Sequence, residues 1–161
     1  MRPNKLLMRH VITEAIDTIE RLKPESLVYC TGEVIPALEA LNNQDCIVSR
    51  ACNLEDLENL PRFELGIIFD YLEQRQPEQG TQFLCRLRNV KCEKLWVAAM
   101  TSADWNFNTM ISLGFERAHC YVENNIELCT YSYDIATYNR QREWNNPRFW
   151  ANPENWGKYR W

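Results

Sequence analysis

Four short apolar runs, Leu27 to Cys30, Cys46 to Val48, Leu65 to Phe69 and Leu95 to Met100, limit most tightly what this chain can become. Each is too short for a helix and is bounded by turn residues or by helical periodicity, so each predicts a strand. Successive positions are apolar, which suits strands covered on both faces. Helical segments lie between them, and strands separated by helices pair in parallel through right-handed crossovers. Two longer strands are expected around Glu116 to Glu123 and Glu127 to Ile135, with Asn124-Asn125 between them as a hairpin signal. The expected fold is therefore α/β and Rossmann-like: a mostly parallel sheet, helices on both faces, and a C-terminal antiparallel hairpin.

The helices follow from spacing and punctuation. Leu7, Val11, Ile12, Ala15, Ile16, Ile19 and Leu22 form one apolar stripe of a helix over residues 5 to 22. Pro36 to Leu41 predicts a short helix with proline in its first turn. Asn53 is the expected cap of a helix through Leu60, which Pro61 stops. Pro77 opens a helix to about Asn89. Asp104 is expected to start another through Leu113, with Gly114 closing it.

Composition excludes several classes. A chain of 161 residues, 45% apolar and 25% charged, suits one domain with a full core. No apolar run approaches the roughly 18 residues that span a bilayer, so no membrane partner is expected. Glu14, Asp17 and Glu20 interrupt the N-terminal segment, which rules out a secretory h-region. Seven cysteines, an odd number with no Cys-x-x-Cys, point to small buried thiols kept reduced in the cytoplasm. The only histidines are His10 and His119, and His119 and Cys120 should face opposite sides of a strand, so no metal is expected.

The stretch Phe63-Glu-Leu-Gly-Ile-Ile-Phe-Asp-Tyr-Leu-Glu-Gln resembles the fourth strand of class I S-adenosylmethionine (SAM) methyltransferases and the acidic loop after it. Many members have Asp-x-Leu-Glu-His there. Asp70, Leu72 and Glu73 match, and Gln74 replaces the histidine. Gly80 to Val90 resembles the following helix, and Leu113-Gly114-Phe115 the turn before the final hairpin. The resemblance covers roughly residues 24 to 137 and implies SAM as cofactor, with Thr31, Gly32, Arg50, Asp70 and Glu73 as the residues that would line its site.

Two departures bear on that implication. The family places Gly-x-Gly-x-Gly after its first strand, where this chain has Cys30-Thr31-Gly32-Glu33-Val34. Its second strand ends in an acid that holds the ribose hydroxyls. Here Val48 is followed by Ser49 and Arg50, and arginine accepts no hydrogen bond. Arg50 could instead meet an anionic ligand, although a solvated arginine is the commoner case. Asp70 is either a ligand contact at a strand's carboxyl end or the cap of a turn. The interval from Arg50 to Arg62 is too short for a further strand and helix, so the family's third strand is expected to be missing.

Residues 138–161 form a separate tail after the domain of residues 1–137. The tail holds Trp144, Trp150, Trp156 and Trp161 and carries a charge of +3, which leaves −7 on the body. The tail is expected to pack on the domain; aromatics interleaved with arginine can also bury an interface or stack on bases, so the tail is the only segment where a nucleic-acid contact would be expected. From Arg148 onward it resembles an uncharacterised family of small proteobacterial proteins. Two functions remain open. One is a noncatalytic or weakly active methyltransferase-like module without SAM, bound to an unknown protein or small molecule. The other is a small SAM-dependent methyltransferase with a divergent cofactor loop.

Overall fold

The computed structural model describes residues 5–32, 34–42 and 45–138, and residues 154 and 158. The tail as a packed unit therefore lies outside the described residues. Helix α1 (Lys5–Leu22) leads into β1 (Ser26–Cys30), and α2 (Pro36–Glu39) into β2 (Ile47–Arg50). Next come α3 (Leu54–Asn59), β3 (Phe63–Ile68), a 3₁₀ turn (Leu72–Gln74), and α4 (Pro77–Arg86) with a π turn (Leu87–Lys91). Strand β4 (Cys92–Met100), helix α5 (Phe107–Ser112) and the hairpin of β5 (Glu116–Glu123) and β6 (Ile126–Asp134) complete the fold.

The six strands form one sheet in the order β2-β1-β3-β4-β6-β5. The first four run parallel, and β6 lies antiparallel between β4 and the edge strand β5. This is the expected Rossmann-like architecture. Only α3 stands between β2 and β3, and β2 forms the other sheet edge, so the third strand of the resembled family is absent among the described residues.

Alternation along each strand divides the core in two. Leu27 and Tyr29 of β1, Leu65 and Ile67 of β3, and Trp96 and Ala98 of β4 meet Val11, Ala15 and Ile19 of α1 and Leu38 of α2. Val28, Cys30, Ile68, Leu95 and Val97 turn the other way, onto Leu57 of α3, Phe83 and Leu84 of α4, and Met110 of α5. Burial on both faces explains why these strands are apolar at nearly every position.

Several boundaries move from their expected places. Strand β2 runs on through Ser49 and Arg50, because Tyr29 and Arg50 still pair in the ladder. Helix α5 starts later than Asp104: Asn106 is its cap, its side chain accepting the Thr109 N–H at 3.0 Å. The hairpin turns where expected, with Asn124 and Asn125 both left-handed (φ 49° and 62°), the geometry of a two-residue type I′ turn. Among the described residues no helix is long and apolar enough to cross a membrane.

Candidate functional site

Parallel strands end together, and in open α/β sheets ligands gather at that carboxyl rim. All five residues expected to line a site lie on it. Thr31 and Gly32 follow β1, Arg50 is the last residue of β2, Asp70 stands just after β3, and Glu73 sits in the 3₁₀ turn beyond.

Arg50 is the first departure from expectation. Its guanidinium Nη2 reaches back over β1 and donates to the carbonyls of Thr31 at 3.4 Å and Gly32 at 3.3 Å. It is half-buried rather than solvated, and its buried Nε has no hydrogen-bond partner. Thr31 is itself buried. The cation that replaces the family's acid thus serves the chain's own backbone.

Gln74 is the second. Its amide donates to the Asp70 carbonyl at 2.8 Å and lies over Gly32, so close that a methyl group on Gly32 would come within 2.9 Å of Gln74 Nε2. Glycine at position 32 thus makes room for a side chain of the protein itself. Arg75, which the sequence argument passed over, continues this layer. It donates to the Cys52 carbonyl at 2.6 Å and stacks 4.8 Å from the Tyr71 ring centre, joining the 3₁₀ turn to the end of β2.

The acids face inward. Asp70 holds a left-handed backbone (φ 49°), which aspartate tolerates better than most residues, and its buried Oδ1 has no protein partner. Glu73 Oε1 accepts the Met100 N–H at 2.7 Å and so ties the turn to the end of β4, while its buried Oε2 is unpaired. Burial pushes the Glu73 carboxyl up, the nearby Asp70 charge adds to this, and the Met100 N–H works against it.

Away from the rim, one expectation is overturned. Cys120 and Cys129 are joined by a disulfide across the β5–β6 hairpin, so the cysteines are not all reduced. Their ladder pairing is direct. The signal was in the turn: Cys120 is four residues before Asn124 and Cys129 four after Asn125, so a two-residue loop sets them opposite each other. Glu127 brings a carboxylate within 4.8 Å of both sulfurs, but a sulfur in a disulfide is no thiolate ligand. The other five cysteines are not in disulfides.

Residues 7–161 match the family of unknown function DUF6231, and the chain belongs to that family. No curated protein matches it. Among solved structures it is similar to the 1,6-didemethyltoxoflavin-N1-methyltransferase of Burkholderia thailandensis, solved with bound 1,6-didemethyltoxoflavin and S-adenosylhomocysteine. Identity is 10%, coverage 77% of this chain and 78% of that one, and the TM-score 0.51. The magnesium protoporphyrin IX methyltransferase of Synechocystis PCC 6803, solved with SAM, gives 12% identity, 82% and 84% coverage, and a TM-score of 0.48. The first likeness, with the strand order above, establishes a class I methyltransferase-like fold.

Proposed function

We propose that this chain is a noncatalytic methyltransferase-like module, which keeps the sheet of the enzymes and uses the former cofactor rim to brace its own loops. The observation that carries this reading is the bond from Arg50 to the carbonyls of Thr31 and Gly32. The residues at the rim do not fit SAM. A ribose diol needs an acceptor at the end of β2, and the chain offers a guanidinium there. The methionine end of SAM needs close backbone approach after β1, and Gln74 lies over the single glycine there. Losing a hydrogen bond to a charged acceptor costs about 1.5–3 kcal/mol, roughly tenfold or more in affinity.

A second reading rests on Asp70 Oδ1 and Glu73 Oε2, buried oxygens without protein partners. A small ligand with N–H or O–H donors would satisfy them, and the module would then be a small SAM-dependent methyltransferase with a divergent loop, or a receptor for another polar molecule. Calorimetric titration with SAM and S-adenosylhomocysteine separates the two. The first reading expects no heat of binding at millimolar cofactor. Low-micromolar binding abolished by Asp70→Ala would establish the second.

The partner, protein or small molecule, is a matter for the same rim and for the tail, which is the one segment whose charge suits nucleic acid. We place the module in the cytoplasm because five of its seven cysteines stand outside any disulfide, which suits a reducing compartment.

A further inference from the structure

We propose that the Cys120–Cys129 pair is a reversible dithiol–disulfide site, exchanged with small thiols at Cys120, and not a staple of the fold. The two sulfurs stand in different surroundings. Cys120 is exposed on β5, the edge strand, which no further strand covers among the described residues. Cys129 is buried, 2% exposed, in the core layer under β6. Exchange requires a thiolate to reach one sulfur while the other departs, and reach decides which sulfur is attacked. Here only Cys120 offers an approach from solvent.

An external thiolate attacks Cys120 Sγ, forming a mixed disulfide. The Cys120–Cys129 bond breaks and its electron pair leaves on Cys129 Sγ, which takes up a proton. The Thr101 hydroxyl, 3.8 Å from that sulfur, is placed to donate to it. A second external thiolate then attacks the mixed disulfide, and Cys120 departs and is protonated. Two thiols become one external disulfide, and the protein gains two thiols. Oxidation runs the same path backwards, with the buried Cys129 resolving a mixed disulfide at Cys120.

The crosslink is also local. It joins strands already adjacent through a two-residue turn, with a sequence separation of 9, so it fixes no distant part of the chain. A loop that short is at the low end of what chain entropy supplies. The reduced domain therefore stays folded, which a cycling site requires. Two buried thiols compete poorly: burial pushes Cys92 up to about 12 and Cys30 well above the ordinary thiol range.

The test equilibrates the full chain, without denaturant, in mixtures of reduced and oxidised glutathione. Thiols are then trapped by alkylation and located by peptide mass mapping. Cys120 and Cys129 should become alkylated together as the reduced fraction rises, with the circular dichroism spectrum unchanged. A pair that stays bonded in reduced glutathione until denaturant is added would overturn the proposal, as would two free thiols in air-equilibrated protein. Cys129→Ala provides the second arm. With its fold verified by the same spectrum, it should take up one glutathione from the oxidised reagent at Cys120, and failure to do so would show that Cys120 is not open to exchange.

Discussion

Glu14 of α1 is the most heavily engaged carboxylate among the described residues, and its removal should be felt across the sheet. It accepts from Trp96 Nε1 of β4 at 3.3 Å, Thr130 Oγ1 of β6 at 2.9 Å and Tyr121 OH of β5 at 2.9 Å, and it pairs with His119 Nδ1 at 3.1 Å. In Glu14→Ala not all of these losses count equally. Tyr121 and His119 reach solvent and can turn to water. Thr130 and Trp96 are buried at 0% and 3% exposure, so their donors are stranded. An orphaned buried polar group costs about 1–3 kcal/mol. Thr130 can fall back on the His119 carbonyl at 3.5 Å, which lowers its share. The expected loss is roughly 2–4 kcal/mol, read as a fall in the urea midpoint at pH 7. The double-mutant cycle with Thr130→Val should show coupling of about 1 kcal/mol or more, since the two groups share a bond. A loss under about 0.5 kcal/mol, the level of an ordinary surface change, would refute the network as a clamp between α1 and the hairpin. The pH dependence gives a second check. Burial pushes the Glu14 carboxyl up, but its bonds from His119, Tyr121, Thr130 and Trp96 outweigh this and hold it below the ordinary range. A lowered acid contributes stability above its unfolded pKa and loses it as pH falls through the folded value, so the difference between wild type and Glu14→Gln should shrink on acidification.

Glu73 has the opposite sign: its carboxyl is raised, so it favours the fold below the ordinary carboxylate pKa and loses that contribution as pH rises through its folded value. Glu73→Gln should accordingly gain stability relative to wild type between pH 4 and neutrality, as measured by thermal melts across that range. Gly66→Ala should cost about 1–3 kcal/mol in denaturant melts by overpacking, because a methyl group there would lie 2.5 Å from Leu95 Cδ2 and 2.8 Å from Cys92 Sγ; adding Leu95→Val should recover part of the loss. Deleting residues 144–161 should lower the melting temperature and raise binding of a hydrophobic dye if the tryptophan-rich tail covers the domain, whereas unchanged values would make it a free interaction arm.

The strands were legible because this sheet is covered on both faces, which leaves runs such as Leu27 to Cys30 apolar at every position. Their ends were less so. Cys92 already pairs with Phe63, although Glu93 and Lys94 interrupt the apolar pattern, since ladder bonds between backbones are indifferent to side-chain polarity. The π turn after α4 left no mark in the periodicity. At the rim, strand ends placed Thr31, Gly32, Arg50, Asp70 and Glu73 together. What Arg50 and Gln74 do there depends on where long side chains come to rest, and on neighbours that are distant in sequence.

The hairpin shows how much one backbone irregularity can decide. Arg117 pairs with Tyr131 and Cys120 with Cys129, so β5 carries one more residue than β6 between those pairs. Simple alternation would put Arg117 and His119 on one face. The bulge shifts the count. Arg117 instead shares a face with Cys120 and lies 4.6 Å from the Phe107 ring of α5, while His119 and Tyr121 turn to Glu14 on α1. Thr130 steadies the extra residue, accepting the His119 N–H at 3.1 Å while donating to Glu14. The turn therefore brings Cys120 into line with Cys129 and Tyr121 toward Glu14, and the bulge beyond them re-aims Arg117. A link between the disulfide and the Glu14 clamp follows from the covalent structure: His119 and Cys120 are neighbours in the chain, as are Cys129 and Thr130.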